Sequence, residues 1–100
     1  MHDGVVNDEN RPAEMELGLF QYLNMIQRNW NRGTPIKGDE KLTRWHEPLV
    51  SVEADRRLLL AQDGELRWFI SREGWEWVSL MRARFPHLFD EYPDLRLRES

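Results

Sequence analysis

Few side chains in this 100-residue chain are of types that perform chemistry, and their spacing assembles none of them into a reactive set. His2, His46 and His87 lie far apart and fall in no metal-ligand spacing. Ser51, Ser71, Ser79 and Ser100 have none of the strand-turn-helix context that exposes a nucleophilic serine. His46 and Glu47 are adjacent, but neighbouring residues on a helix do not face one another. The six glycines are scattered, so no phosphate-cradling loop is present. The chain has no cysteine, which removes disulfides, thiolate zinc sites and cysteine nucleophiles together. The expectation is a non-enzyme without cofactor or metal.

Binding chemistry has more to draw on. Arginine outnumbers lysine twelve to two, and its planar guanidinium suits phosphate or carboxylate. The formal net charge is −4, and residues 1–20 already hold five acids against the single base Arg11. Residues 21–100 balance at thirteen of each sign, and 26–72 carry nine bases against seven acids. An acidic leader on a neutral body does not oppose nucleic-acid binding as a uniform −4 would. Five acids in 20 residues fall short of duplex charge density, about one charge per 1.7 Å, so the leader reads as a solubilising or autoinhibitory tail rather than a DNA mimic. Five Trp and four Phe exclude a disordered chain. Trp75 and Trp77, about 200° apart on a helix, cannot both face inward, which marks one of them for a protein interface or a dimer seam.

These residues need elements to position them. Residues 1–11 lack periodicity and read as a flexible acidic arm. Asn10 can cap a helix with Pro12 in its first turn. Met15, Leu19, Tyr22, Leu23, Ile26 and Trp30 then share one face over about five turns, until Gly33 and Pro35. Ile36 is expected to enter the core as an extended residue. Asp39 can cap a short helix from Glu40 to His46. Residues 49–64 fit two readings. One is a helix capped by Ser51 and stopped by Gly64, which propensity favours. The other is a hairpin arm turning at Asp63-Gly64, with Leu59 opposite Trp68 and Ala61 opposite Leu66. Residues 65–70 read as a strand alternating Leu66, Trp68 and Ile70. Ser71 caps a last helix carrying Trp77, Val78, Met81 and Phe85, ending at Pro86. The domain spans 12–86, and residues 87–100 form a tail with a short helical turn. The longest apolar run, Leu58–Ala61, is far below the roughly 18 residues of a membrane span, and no secretory signal opens the chain, so the cytoplasm is the expected compartment.

From Asp39 through Gly74 the chain resembles a winged helix-turn-helix domain. "GDEKLTRW" matches the second helix, "LVSVEADRRLL" the turn and recognition helix, and "DGELRWFISREGWEWV" the wing and the helix after it. The last piece is similar to the dG-L-x-x-x-L-T-x-x-G run that closes many winged-helix regulators, and about 70 residues take part. Where the family usually places an apolar residue, four after the opening Ser, this chain has Asp55. A register moved by one turns Ala54 inward and leaves Asp55 at the rim. The wing's second strand must come from Leu58–Gln62, shortening the recognition helix, or from Trp75–Leu80, replacing the last helix.

The resemblance implies an α+β, mainly helical fold, a winged-helix-like bundle of three to four helices with a small antiparallel hairpin. It further implies a sequence-specific, dimeric regulator of transcription binding double-stranded DNA. Lys41, Arg44, Arg56 and Arg57 would then touch phosphates, with Arg67 and Arg72 at the wing. The competing reading of these arginines is a solvated face balanced by Glu53, Asp55 and Glu65. The competing function is a protein-interaction module, such as an adaptor or phage-type inhibitor of a host protein, working through Trp75 or Trp77.

Overall fold

The structure is a computed structural model that describes residues 12–38 and 48–96. Helix α1, Glu14–Asn31, buries Leu19, Phe20, Tyr22, Leu23 and Ile26 along the face that the apolar spacing defines. Its acids Glu14 and Glu16 sit in the first turn and Arg28 in the last, each favourable to the helix dipole. The helix starts later than Pro12 suggests. Ala13 stands at the N-cap with ψ 158°, an extended conformation, and no side chain caps the first turn. Pro12 is instead buried, lining a small cavity with Leu17, His87 and Leu88. Asn10 and the rest of the acidic arm lie outside the described residues, as does the short helix expected from Glu40 to His46.

After α1 the chain runs extended through Ile36, which is buried as expected. The Ile36 carbonyl accepts the Trp68 N–H at 2.8 Å, and the Gly38 N–H donates to the Leu66 carbonyl at 2.8 Å. Helix α2 is Pro48–Arg56. Pro48 fits a first helical turn because its missing N–H has no partner there, so Ser51 lies inside the helix and is not its cap. The Ser51 hydroxyl is buried and hydrogen-bonded to the Tyr22 hydroxyl at 3.2 Å, tying α2 to α1. Ala54 is fully buried and Asp55 exposed, the arrangement of the shifted register.

Residues 49–64 divide between the two sequence readings, helix first and strand second. The helix stops without glycine: the Leu59 N–H donates to Ala54 and the Leu58 N–H to Asp55, a Schellman ending in which Leu58 adopts φ 60°. Strand β1, Leu60–Gln62, then pairs antiparallel with β2, Trp68–Ile70, in the register Leu60 to Ile70, Ala61 to Phe69 and Gln62 to Trp68. The strand partner of β2 thus comes from within Leu58–Gln62 and not from Trp75–Leu80, which is helical. The register differs from that of a two-residue Asp63-Gly64 turn because Asp63 organises a longer loop. Its Oδ1 accepts the Glu65 and Arg67 N–H groups at 2.9 and 3.0 Å, and its own N–H donates to the Arg67 carbonyl. Leu66, expected inside the strand, is exposed in this loop at φ 63°. Trp68 and Ile70 do point inward, and β2 lies between β1 and the 36–38 segment.

Helix α3, Arg72–Arg84, opens on Ser71, whose Oγ accepts the Gly74 N–H at 2.9 Å and donates to the Leu58 carbonyl at 2.6 Å. Val78, Met81 and Phe85 complete the core. The tail forms the short helix α4, Leu88–Glu91, and a 3-10 turn, Pro93–Leu95. Asn24 anchors that turn by accepting the Asp94 N–H at 3.1 Å, while Leu95 is fully buried. The architecture is α+β and mainly helical, with a small antiparallel sheet.

Two substitutions should shift stability in opposite directions. A Cβ on Gly74 would collide with the Leu59 carbonyl oxygen, a backbone atom that cannot swing aside; Gly74→Ala should cost about 1–3 kcal/mol. Leu58 is mostly exposed and holds a left-handed conformation that costs an L-residue about 1–2 kcal/mol. Leu58→Gly should stabilise by about 0.5–1 kcal/mol after glycine's entropy is deducted. Urea-unfolding midpoints would check both: down for Gly74→Ala and up for Leu58→Gly.

Candidate functional site

Helix α2 has two unlike faces because nine residues are enough for one buried stripe and one outward stripe. Val50, Ser51 and Ala54 pack inward on α1. Leu49 and Val52, three residues apart and therefore on one side, point outward with 72% and 61% of their surface exposed. Burying neither in the fold leaves an apolar stripe in water. Beside it, the start of α2 and the first two turns of α1 enclose an open groove of roughly 550 Å³, walled by Met15, Leu17, Gly18, Leu49 and Val50, with Glu14 and Gln21 at its edge.

The arginines expected to contact DNA sit next to carboxylates. Arg56 donates Nε and Nη2 to Glu53 at 3.0 and 2.5 Å. Arg57 donates Nε to Glu53 at 2.6 Å and Nη1 and Nη2 to Glu16 of α1 at 2.7 and 3.2 Å. These hydrogen bonds, from Arg56 first and Arg57 second, hold the Glu53 carboxyl down at about 2. Glu16 in turn holds the Arg57 guanidinium above its usual range. Arg67 donates to Asp63 at 2.7 Å, lies 3.5 Å from Glu65 and covers the Trp30 ring at 5.2 Å. The loop amide of Arg67, more than its side chain, lowers the Asp63 carboxyl. Arg72 is 3.6 Å from Glu76 on an open helix surface, a pair of small energetic weight. All four described arginines of the DNA expectation therefore have an acidic neighbour. Lys41 and Arg44 lie outside the described residues.

Trp75 and Trp77 are both half-buried and both pack against the core, Trp77 with its ring 4.9 Å from Phe20. The 200° separation does not expel either ring: α3 packs on β2, and the Phe20 of α1 that Trp77 meets is stacked by the tail ring Tyr92 at 5.8 Å. Among the described residues the exposed large apolar side chains are aliphatic: Leu49, Val52, Leu58, Leu66 and Leu80. Leu49 and Val52 were readable as an outward pair only once the helix was known to begin at Pro48.

The hydroxyls and histidine offer little reactive geometry. Ser51 is bonded to Tyr22 and Ser71 caps α3. The Tyr22 phenol is pushed up to about 12, chiefly by burial and also by the Asp55 charge, against the opposing pull of Ser51. His87 meets the edge of Phe85 with ring centroids 6.5 Å apart. Among the described residues no three metal-ligating side chains come together, and no helix is long and apolar enough to cross a membrane. Comparison of the chain with protein-family models, curated proteins and solved structures found no match.

The Glu53 geometry has a pH signature. Its carboxyl is ordinarily half-protonated near 4.5 and in the folded protein near 2, so the fold binds fewer protons than the unfolded chain between those values. The stabilisation is complete above about 4.5 and is lost as pH falls through about 2. The stability difference between the natural chain and Glu53→Gln should be largest near neutral pH and shrink below 4.5. Urea unfolding of both proteins across this range checks it; a constant difference would contradict the pairing.

Proposed function

We propose that the chain is a non-catalytic protein-binding module whose working surface is the outward face of α2 and the adjoining groove. The observation that carries this reading is the combination, on one short helix and the turn that ends it, of two well-exposed aliphatic side chains with two arginines already bonded to carboxylates. Apolar side chains left in water are the usual anchors of protein contacts. Neutralised arginines add little of the counterion release that drives proteins onto duplex DNA.

A second reading, a winged-helix regulator binding double-stranded DNA, is favoured by one specific observation. Among the described residues the order α1, short α2, hairpin, α3, with β2 bonded on its other side to the segment around Lys37, is compatible with what the winged helix-turn-helix resemblance implies; its second helix would fall in residues 39–47, outside the described residues. In that reading Lys41 and Arg44 carry the phosphate contacts that Arg56 and Arg57 are poorly placed to make. A fold shared by many functions does not choose between the two; the α2 surface favours a protein.

A nuclease-treated pull-down from lysate of the native cell, run with the full chain and with Leu49→Glu plus Val52→Glu, separates them. Both positions are exposed, so circular dichroism should be unchanged. The protein reading expects a captured protein that survives nuclease and is lost with the double variant. Capture that requires nucleic acid and is lost instead with Lys41→Ala plus Arg44→Ala would establish the DNA reading in its place.

A further inference from the structure

We propose that residues 87–96 form a strap closed over an aromatic slot of the core, with Asp94 as its latch, and that this strap opens while the rest of the fold stays formed. Three polar side chains of α1, spaced i, i+4 and i+7 and therefore on one stripe, converge on Asp94. Asn24 accepts the Asp94 N–H at 3.1 Å, while Arg28 Nε and Asn31 Nδ2 donate to its carboxylate at 3.4 and 3.3 Å. Asn24 is buried, and a buried amide is costly unless bonded; the strap supplies its partner. Beside the latch, Leu95 is fully buried and Tyr92 stacks on Phe20 at 5.8 Å. The same Phe20 ring meets Trp77 at 4.9 Å on its way into the core.

The strap is separable because of where its bonds fall. The 3-10 turn packs chiefly on α1 and on α4, and its backbone bonds are local: Tyr92 N–H to Leu88, Leu95 N–H to Tyr92 and Arg96 N–H to Pro93. The Ser51–Tyr22 bond, the hairpin and the Ser71 cap use none of these residues. The two bonds to the Asp94 carboxylate are long and solvent-exposed, so each is weak. Segments held by few and exposed hydrogen bonds open at lower cost than the whole fold. The burial of Leu88 and Leu95 keeps the open form a minor one. Opening uncovers Phe20 and Trp77. Leu17, three residues before Phe20 and on the same side of α1, lines both the cavity beneath α4 and the α1–α2 groove. The uncovered slot therefore adjoins that groove, a surface that the closed form hides.

Residue-resolved amide hydrogen exchange of the full chain and of Asp94→Ala tests the strap, whatever binds the α2 surface. In the natural chain the Asp94, Leu95 and Arg96 N–H groups should be less protected than those of Trp68 and Ser71, which bond within the body of the fold. Asp94→Ala should accelerate the strap amides by about tenfold, the loss expected of a charge-assisted hydrogen bond, and leave Trp68 and Ser71 unchanged. Asp94→Asn, which keeps the backbone bond to Asn24, should give a smaller acceleration. The alanine variant should also bind more of a hydrophobic dye than the natural chain, with its far-ultraviolet circular dichroism intact. Equal acceleration at the strap and at Trp68 and Ser71, or loss of the dichroism, would make the strap part of one cooperative unit and overturn the proposal. Unchanged strap exchange in the alanine variant would overturn Asp94 as the latch, and faster strap exchange without added dye binding would overturn the uncovered slot.

Discussion

The guanidinium of Arg57 sits between Glu16 of α1 and Glu53 of α2, and much of the molecule's character depends on that placement. It holds the end of α2 against the start of α1 while the Ser51–Tyr22 hydrogen bond and buried Ala54 hold the middle. A Cβ at Gly18 would come within 2.9 Å of Val50 Cγ2, so the two helices also touch directly. Glu53 also accepts from Arg56, whose side chain stays mostly exposed. With Glu53 shared between Arg56 and Arg57, the helix that a winged domain would present to DNA shows leucine and valine to solvent.

The hairpin obeys a comparable constraint. Helix α2 must end early enough to leave residues for β1, and it does so through Leu58 in a left-handed conformation. Ser71 then bonds the Leu58 carbonyl and caps α3, so one hydroxyl joins the end of one helix to the start of another. Gly74 allows the Leu59 carbonyl to approach α3 closely. The strain at Leu58 persists because these fixed neighbours over-determine it.

Local pattern carried part of this architecture and long-range contact carried the rest. The α1 stripe was legible because its residues recur at helical spacing, and Ile36, the Ser71 cap and the helical turn of the tail were legible from caps and turn residues. Phe20 and Asn24 fall outside the stripe yet are buried, because Trp77, Tyr92 and Asp94 reach them from the far end of the chain. Residues 49–64 fit both helix and strand, with propensity favouring the helix, because the helix stop at Leu58 bears no glycine. The hairpin register followed from the Asp63 carboxylate bonding two loop amides, a contact that spacing does not announce. For the candidate surface, the arginines were visible and Glu53 was recognisable as a counter-charge. Glu16, 41 residues away from Arg57, was not. The aromatic pair Trp75 and Trp77 drew attention to α3, whereas the exposed apolar pair is on α2.

On the protein-binding proposal, Glu16 and Glu53 keep Arg56 and Arg57 from engaging nucleic acid. The salt dependence of duplex-DNA affinity, measured for the full chain and for Glu16→Gln plus Glu53→Gln, tests it most directly. The account predicts little affinity and a shallow slope for the natural chain, with the double variant gaining affinity and a slope steeper by about two phosphate contacts. A natural chain that already binds tightly with a steep slope, unchanged by freeing the two arginines, would contradict it.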